Sequence, residues 1–379
     1  MKRILIFSLA YYPTVGGAEV AIRNITDRIP DIAFHLITLR FSNEPRRERI
    51  GNVEVHRVGF GGGYIAKILY VPLSALKAHS LHRRERFDAL WAMMTYMLFP
   101  LVLARLLRVR LPYVLTLQDG DPFGRVFNRW YIVPFRPLLT WGFRHASVVQ
   151  TISQYLAGWA RQGGYCEPIE VIPNGADVKT FSDTKANIAK AKGDVILVST
   201  SRLVHKNALD DVIRALARLP SHIRFVNYGF GPDKKTLEAL ARELHVEHRV
   251  ALLPHPGVDH LPPYLKAADI FIRPSRSEGM GISFIEAFAA GIPVIATQEG
   301  GIADFLFDAK RNPDMQPTGF AVDKDDPEGI ARAVEEILKN PEHAKQVAAN
   351  ARALAERYDW RIIARDMKSR VFDRVLKEG

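Results

Sequence analysis

The sequence predicts an α/β protein with two doubly wound, parallel-sheet domains. Three observations support this fold class. The 379 residues are enough for about two domains. Hydrophobic residues make up 47% and charged residues 25% of the chain, an ordinary globular composition that excludes disordered, collagenous and integral-membrane classes. Short apolar runs alternate with amphipathic stretches of helical length, as expected for parallel sheets covered by helices.

The apolar runs predict strands in two groups, and near-continuous apolar strands suit sheets that are buried on both faces. Strands are predicted in the first half at 3–9, 34–39, 53–58, 89–94, 113–117, 147–151 and 169–173. Strands are predicted in the second half at 195–200, 223–228, 249–254, 270–274 and 293–297, alternating with helices near 207–218, 233–244, 261–267 and 282–290.

The two groups of strands are separated by a polar stretch, 173–194, that is rich in turn residues. We interpret it as a linker between domains. After the second group, three helical segments are predicted near 327–339, 342–357 and 361–376. The chain therefore reads as two similar sheet domains followed by a helical C-terminus.

The basic charge of the chain is concentrated in one segment. Lys and Arg number 52 and Asp and Glu 41, which gives a net charge of +11, and residues 40–144 alone hold 17 basic and 7 acidic side chains. An acidic partner or a solvated surface would each explain this excess. Within it, residues 64–86 mix aromatic and aliphatic side chains with Lys and Arg, a pattern typical of a helix at an anionic membrane interface.

Cysteine usage and the N-terminus bear on the compartment. Cys166 is the single cysteine, so we expect no disulfide framework and no thiolate metal site, and a reducing cytoplasm fits best. The first ten residues are interpreted as a buried strand because their apolar stretch is short and no small-residue cleavage site follows.

The most informative stretch, 272–297, reads as a strand, a glycine-bearing loop, a helix and another strand. Backbone amides of Met280, Gly281, Ile282 and Ser283 would face outward at the helix N-terminus, where the helix dipole favours a phosphate. Two carboxylates flank this point. Glu286 would accept hydrogen bonds from ribose hydroxyls and Glu278 from sugar hydroxyls, although both glutamates would also be stable there simply as anions near a positive dipole.

The segment SEGMGISFIEAFAAGIPVIAT (277–297) resembles the Glu-x7-Glu segment of the retaining, family 4 type glycosyltransferases, which adopt the two-domain GT-B fold. Other stretches agree in order and spacing: PTVGGAE (13–19), TISQYL (151–156), VIPNGAD (171–177), SRLVHKN (201–207), YGFGP (228–232), YLKAADIFIRPS (264–275) and QEGGIAD (298–304). The resemblance implies two Rossmann-like domains facing a cleft. An acceptor-binding domain would span 1–178 and a nucleotide-sugar-binding domain 179–359, with a C-terminal helix, 360–379, packing back on the first.

The resemblance also implies roles for two cations. Arg202 and Lys206 follow a predicted strand, where they would neutralise the leaving diphosphate during catalysis. This chain departs from the commonest family pattern, in which Lys immediately precedes Gly, because Asn207 and Ala208 stand at those positions. Arg202 is therefore the firmer assignment of the two.

Glycines are the second group of implied site residues. Gly16 and Gly17 would form an acceptor or phosphate loop, because the missing Cβ atoms let backbone amides approach a ligand. A simple strand-to-helix turn is the alternative. Gly229 and Gly231 are assigned to donor binding, and their spacing does not form a dinucleotide fingerprint, so NAD binding gains no support.

The largest departure from the family lies at 115–124. Many members have a His here that contacts the transferred sugar, whereas this chain offers Gln118 and Asp119. Gln118 can replace that contact as a donor and acceptor but cannot act as a base. Retention would tolerate this, since in the family's usual mechanism the leaving phosphate oxygen takes the acceptor's proton; an inverting enzyme would need Asp119 or Asp121. Asp119 and Asp121 also form a DxD pattern, which binds a divalent metal in another glycosyltransferase fold. No catalytic metal is expected here, because Arg202 and Lys206 would already neutralise the diphosphate charge.

The function expected from these observations is a retaining, metal-independent glycosyltransferase in glycolipid, polysaccharide or other glycoconjugate synthesis. The donor would be a UDP- or GDP-linked sugar bound as substrate, with no cofactor. The acceptor would be lipid-linked or a saccharide, and residues 40–144 would face an anionic membrane on the cytoplasmic side. A GT-B epimerase or hydrolase is the enzymatic alternative. A nucleic-acid-binding protein is the alternative from another class, although no nucleic-acid module accompanies the charge.

Overall fold

The computed structural model describes residues 1–186, 190, 193–257 and 260–377. The chain divides into two compact units: unit 1 is Met1–Asn174 with Trp360–Gly379, and unit 2 is Gly175–Asp359. The sequence-based boundary lies between residues 178 and 179. Part of the expected linker and the last two residues of the expected C-terminal helix lie outside the described residues (187–189, 191–192 and 378–379).

Unit 1 is built on an eight-stranded sheet in the order β3-β4-β2-β1-β5-β6-β7-β8. Its strands are β1 Lys2–Phe7, β2 Ile32–Leu39, β3 Arg47–Ile50, β4 Val53–Val58, β5 Ala89–Met93, β6 Tyr113–Leu117, β7 Val148–Thr151 and β8 Ile169–Val171. All neighbours pair in parallel except β3, which runs antiparallel to β4 at one edge. Strand β3 was not predicted, because its sequence RERI has no apolar run.

Unit 2 is built on a six-stranded, all-parallel sheet in the order β11-β10-β9-β12-β13-β14. Its strands are β9 Val195–Thr200, β10 Ile223–Tyr228, β11 Val250–Leu253, β12 Ile270–Arg273, β13 Val294–Ala296 and β14 Phe320–Ala321. This is the strand order of a doubly wound, Rossmann-like domain. The two-residue β14 is too short to produce a signal in the sequence.

Helices follow most strands in both units, as parallel connections require. Unit 1 contains α1 Gly17–Asp27, α2 Tyr64–Glu85, α3 Leu98–Leu106, α4 Phe123–Phe127, α5 Arg136–Arg144 and α6 Gln154–Gln162. Unit 2 contains α7 Val178–Asp183, α8 Leu209–Leu216, α9 Lys234–Glu243, α10 Pro262–Lys266, α11 Ile282–Ala290, α12 Pro327–Lys339 and α13 Pro341–Ala355. Helix α7 lies inside the stretch interpreted as a linker, and the Asp177 side chain caps its start by accepting from the Thr180 amide at 3.2 Å.

The C-terminal segment belongs to unit 1. It comprises α14 Trp360–Asp366, a π-helical turn Met367–Phe372 and α15 Asp373–Val375. The Phe372 ring packs edge-on against Phe34 of β2 and Trp91 of β5, with ring centroids 5.7 and 5.0 Å apart. Aromatic burial on the first sheet thus holds this segment in place.

Helix α2 exposes an unusual amount of apolar surface. Ile65 is 73% exposed, and Ile68, Leu69 and Leu76 are also exposed. These positions recur at helical spacing and share one face. No described helix is both long and apolar enough to span a lipid bilayer.

Candidate active site

The topology of the second sheet indicates where a ligand would bind. Strands β9 and β12 lie side by side, and the strand order reverses between them. In open α/β sheets, ligands bind beyond the carboxyl ends of the strands at such a switch point. The loop after β9 carries Arg202 and Lys206, and the loop after β12 carries Glu278. The residues expected to bind the donor therefore follow two neighbouring strands.

A buried arginine that the sequence analysis did not single out joins these loops. Arg273 is the last residue of β12, and its Nη1 donates to Ser283 Oγ at 2.8 Å. Its Nη2 donates to the Glu278 carboxylate and lies 3.4 Å from Asn207 Oδ1. The guanidinium also lies 5.1 Å from the centre of the Phe284 ring. One cation thus contacts both loops and the first turn of α11.

Two of the expected site residues act electrostatically on this same guanidinium. Burial and the Arg202 charge lower the pKa of Arg273, the Glu286 charge raises it, and the net result is a pKa of about 10. Arg273 is therefore still protonated at neutral pH. The structure brings together Arg202, Glu278 and Glu286 around Arg273.

The Glu278 carboxylate is held by two partners. It accepts from Arg273 and, through Oε1, from the Gly279 amide at 3.0 Å. The side chain is buried. An anion fixed in this way can still accept from a ligand hydroxyl, because an ionised carboxylate has more lone pairs than these two contacts use.

Glu286 lies just over one turn inside α11 and is buried. Burial raises the pKa of Glu286 to about 7, and the Arg273 charge partly opposes this shift. Glu286 is therefore partly protonated near neutral pH. A ligand that donates hydrogen bonds to the carboxylate would favour its ionised form.

The N-terminus of α11 has the shape expected of an anion site. Gly281 precedes the helix with φ +86°, and a Cβ at this position would come within 2.6 Å of the Phe284 ring. Only glycine fits this conformation and this close approach. Met280 is buried, Ile282 is half-buried, and the Ser283 hydroxyl already accepts from Arg273. The dipole of a nine-residue helix favours a negative charge at this end.

Backbone contacts hold the two cation-bearing residues in position. The Asn207 side-chain amide donates to the Arg202 carbonyl at 2.7 Å, and the Arg276 backbone amide donates to the Lys206 carbonyl at 2.7 Å. The Arg202 side chain is exposed and Lys206 is half-buried. The loop after β9 is thus tied to the loop after β12 through Arg276.

The two glycines of the YGFGP motif lie directly against the Arg202 loop. A Cβ on Gly229 would be 2.0 Å from the Ser201 carbonyl oxygen, and one on Gly231 would be 2.0 Å from that of Leu203. The Leu203 amide also donates to the Phe230 carbonyl at 2.8 Å. Donor contact by these glycines stays a prediction, and the structure adds a packing reason for their lack of a side chain.

Gly300 is a second residue that the sequence analysis did not assign to the site. It adopts φ +64°, and a Cβ here would lie 2.0 Å from the Glu278 carbonyl oxygen, which accepts from the Gly301 amide at 3.0 Å. The loop after β13 therefore supports the backbone of Glu278. The sequence signal for this contact is the paired glycine in QEGGIAD, a motif that also belongs to the family resemblance.

The remaining expected site residues belong to unit 1. Gly16 precedes α1, and its amide donates to the Glu19 carboxylate at 2.7 Å, which is one half of a capping box. Gly17 is the first helical residue and is exposed. Since Glu19 already occupies the Gly16 amide, the helix start is a stable turn by itself, and the ligand role of this loop stays a prediction.

Gln118 and Asp119 follow β6 and are already hydrogen-bonded. The Gln118 and Asn174 side-chain amides exchange two hydrogen bonds, at 3.1 and 3.0 Å. Asp119 is buried and accepts from the Thr95 hydroxyl at 3.0 Å. Burial raises the pKa of Asp119 to about 6, which the Thr95 hydrogen bonds partly oppose.

These features define the class of the protein. Two Rossmann-like sheets, with a charged loop cluster and an anion-favouring helix N-terminus at the switch point of the second sheet, have the architecture of the GT-B glycosyltransferases. Residues 181–354 match the family model described as glycosyl transferases group 1, and residues 15–180 match that of glycosyltransferase family 4. The chain belongs to the family 4 glycosyltransferases.

A mannosyltransferase is similar to this chain over part of its length. The chain is 31% identical over 234 residues to the GDP-mannose-dependent alpha-(1-6)-phosphatidylinositol monomannoside mannosyltransferase of Mycolicibacterium smegmatis. The match covers 57% of this chain and 59% of the relative. The aligned segment therefore spans a little over half of that relative's length.

Solved structures show the same fold at low identity. Sucrose-phosphate synthase from Thermosynechococcus elongatus superimposes with a TM-score of 0.87 at 18% identity, covering 100% of both chains. HepE of Anabaena, in complex with UDP-glucose, superimposes with a TM-score of 0.80 at 21% identity, covering 98% of this chain and 100% of the other. Both matches confirm the predicted GT-B architecture.

Proposed function

We propose that this protein transfers a sugar from a nucleotide-sugar donor to an acceptor hydroxyl, with retention of anomeric configuration and without a catalytic metal ion. The observation that carries the proposal is the cluster of Arg202, Arg273, Glu278 and Glu286 beside the N-terminus of α11. The cluster offers positive groups for a diphosphate and carboxylates for hydroxyls. A nucleotide sugar presents both kinds of group in one molecule.

Each residue has a distinct role in the proposed reaction. The amides at the start of α11 would bind the donor phosphate, and Glu286 would accept from the ribose hydroxyls. Glu278, fixed by Arg273, would accept from hydroxyls of the transferred sugar. Arg202 and Lys206 would stabilise the charge that develops on the diphosphate as the glycosidic bond breaks.

The groups available in unit 1 support the proposed retention. Gln118 cannot take a proton at any ordinary pH, and Asp119 is buried and accepts from the Thr95 hydroxyl. A front-face reaction needs no protein base, because the leaving phosphate oxygen takes the proton of the acceptor hydroxyl. We therefore favour this route for the transfer.

The donor is proposed to be a GDP- or UDP-linked hexose. The mycobacterial relative is named for GDP-mannose and the HepE structure for UDP-glucose. A thermal-stability screen of GDP-, UDP- and ADP-sugars tests this, because a ligand at 100 times its dissociation constant adds about 2.7 kcal/mol to stability. Stabilisation of wild type and of the surface variant Arg214→Ala, but not of Glu286→Ala, supports the proposal. Equal stabilisation of all three proteins would contradict it.

The acceptor is proposed to be carried by an anionic membrane. Around the exposed face of α2, Tyr64 contacts Tyr131, which contacts Trp130, and Trp130 is 84% exposed. At the other end of α2, Arg83 and Arg84 are exposed. Aromatic and aliphatic side chains beside cations suit the interface of a bilayer, where each cation adds about 1 kcal/mol of attraction to acidic lipids. The protein would then work as a peripheral enzyme on the cytoplasmic face.

Vesicle flotation tests the membrane surface. Wild type should float with vesicles containing phosphatidylglycerol and much less with pure phosphatidylcholine, because both apolar insertion and charge contribute. The double variant Ile65→Ser, Ile68→Ser should lose flotation, whereas Leu338→Ser, which also removes an exposed apolar side chain but in unit 2, should not. Wild-type flotation that is equal on both lipids, or absent on both, would overturn this part of the proposal.

A nucleotide-sugar hydrolase or epimerase on the same fold is the second candidate, since the donor-binding groups would be shared. Donor consumption measured with and without candidate glycolipid acceptors separates the reactions. A transferase should consume donor only when an acceptor is present, apart from a slow background hydrolysis. Rapid consumption without any acceptor would favour the alternative.

A further inference from the structure

A cluster of two histidines and a glutamate lies in unit 1, on strands that carry none of the proposed transferase residues. His35 is on β2, and Glu54 and His56 are on the neighbouring parallel strand β4. His35 pairs in register with Glu54, and Glu54 and His56 are two residues apart. Side chains with this spacing project from the same face of the sheet.

The ligand atoms of the three side chains face one another. His35 Nδ1 lies 3.3 Å from His56 Nε2, His56 Nε2 lies 3.4 Å from Glu54 Oε1, and His35 Nδ1 lies 4.0 Å from the same oxygen. Among the described residues, this is the group of three His, Cys, Asp or Glu side chains whose ligand atoms are close enough to share a metal ion.

We propose that His35, Glu54 and His56 form a binding site for a divalent transition-metal ion, with Zn²⁺ as the best fit. A point equidistant from three atoms with these separations lies about 2.1 Å from each, and Zn–N and Zn–O bonds are about 2.0–2.2 Å. Two ligand atoms bound at that length and at the tetrahedral angle are about 3.4 Å apart. Two of the three separations already have this value, and a small side-chain rotation would shorten the third.

The donor set selects the class of metal. Two imidazole nitrogens and one carboxylate oxygen suit Zn²⁺, Co²⁺ or Ni²⁺, whereas Mg²⁺ and Ca²⁺ prefer oxygen ligands throughout. Both imidazoles are buried, and the Glu54 side chain is 28% exposed, so Glu54 is the most exposed of the three residues. Three protein ligands leave a fourth position for water.

The charges around the cluster set how tightly an ion would bind. The Arg47 guanidinium lies 2.5 Å from Glu54 Oε1, and its side chain is 67% exposed on the edge strand β3. Lys77 of α2 and Arg3 of β1 add positive charge near the histidines, and Glu85 of α2 adds negative charge. Arg47 therefore competes with a metal ion for the same oxygen.

The consequence of metal binding would be structural. An ion held by His35 on β2 and by Glu54 and His56 on β4 would cross-link two strands near the sheet edge that β3 completes. Because an ion that binds only the folded state stabilises it, its loss should loosen this edge. The Glu278 and Glu286 cluster belongs to the other unit, so this inference does not depend on the proposed transferase reaction.

Metal titration tests the site directly. The protein is purified without a histidine tag, stripped with a chelator, and titrated with ZnCl₂ by calorimetry. Wild type should bind one Zn²⁺ per chain and gain thermal stability. His56→Gln and His35→Gln should lose this binding, and Glu54→Gln should weaken it by roughly tenfold or more because it removes the anionic ligand. His222→Gln, which replaces an exposed histidine of unit 2, is the matched control and should bind as wild type does.

Two further measurements distinguish the loss of a metal site from misfolding of a variant. Arg47→Gln removes the competing cation and should bind Zn²⁺ more tightly than wild type, which a damaged fold would not produce. Co²⁺ bound by wild type should show the visible absorption of a tetrahedral nitrogen and oxygen site. Zn²⁺ binding that is absent in wild type, or equal in wild type and both histidine variants, would overturn the proposal and leave a simple N–H···N hydrogen bond between the two rings.

Discussion

The Arg273 guanidinium donates to the Glu278 carboxylate, and both side chains are buried at the carboxyl end of the second sheet. A buried ion pair is weak support for stability, since the desolvation of two charges offsets their attraction. Its position suggests another role. Arg273 also reaches Ser283 and Asn207, so it fixes the direction of Glu278 relative to both loops.

Replacing Arg273 by lysine should lower kcat/KM for the donor by about tenfold or more. Lysine keeps the charge but lacks the planar fork that contacts Ser283, Asn207 and Glu278 together. Steady-state kinetics with varied donor would measure the effect. Arg249→Lys is a matched control, because Arg249 is also buried in unit 2 but donates only to backbone carbonyls. Equal kinetic losses in the two variants would count against a positioning role.

Donor binding should release a fraction of a proton near neutral pH. The pKa of Glu286 in the free protein is about 7 because of burial, and ribose hydroxyls that donate to the carboxylate would favour its ionised form. Affinity should therefore rise as pH increases through 7. Calorimetry in two buffers with different ionisation enthalpies measures the released proton.

Glu286→Gln should abolish this proton release, whereas Glu238→Gln, which alters a surface carboxylate on α9, should not. The same shift has a consequence for stability. A carboxyl whose pKa is raised by folding contributes stability that is present below its unfolded value of about 4.5 and is lost as pH rises through 7. Without donor, the free energy of unfolding of Glu286→Gln should therefore fall less between pH 5 and 8 than that of wild type. Unchanged proton release in Glu286→Gln would exclude Glu286 as its source.

Gly231→Ala should reduce turnover although Gly231 carries no side chain to lose. The new Cβ would lie 2.0 Å from the Leu203 carbonyl oxygen, so the backbone beside Arg202 must shift. Shifts of about 1 Å at a catalytic group can cost on the order of 100-fold in rate. Kinetics should be compared with Gly158→Ala, where a Cβ meets nothing within 4 Å and helix propensity favours alanine. A fully active Gly231→Ala enzyme would show that the loop tolerates the movement.

The fold was predictable because the buried strands are continuous apolar runs. Strands 53–58, 113–117, 195–200 and 223–228 and helix 282–290 have the predicted bounds. Strand β3 was missed because it lies at a sheet edge, where an alternating pattern of exposed and half-buried charged residues replaces the apolar run. Pairing with β4, a tertiary contact, is what makes it a strand.

The sequence indicates the candidate site only where a single motif contains its residues. The spacing of Glu278 and Glu286 is visible in the sequence because one loop and one helix carry both. The roles of Arg273 and Gly300 depend on contacts with Ser283 and with the Glu278 backbone. Such contacts join separate loops only in the folded protein, so the spacing of residues within one motif does not predict them.

Arg202→Ala should lower kcat by about 100-fold or more with a smaller change in KM. Removing one preorganised group that stabilises transition-state charge typically costs 10²–10³ in rate, on the order of 3 kcal/mol. Arg214→Ala, on the exposed side of α8, removes an equal charge from the same unit and should remain active. If both variants lost similar activity, general electrostatics rather than a local contact would explain the effect.

Asp119→Asn should retain most activity and give the same product anomer as wild type. Asparagine keeps an oxygen that accepts from the Thr95 hydroxyl, as Asp119 does at 3.0 Å, but it cannot take a proton. Because burial raises the pKa of Asp119 to about 6, this carboxylate is the candidate base that the substitution removes. A base-dependent, inverting reaction would lose about 10²–10⁴ in rate. Proton NMR of the product, which distinguishes the anomers by their coupling constants, together with kcat for both proteins, therefore decides between front-face retention and inversion.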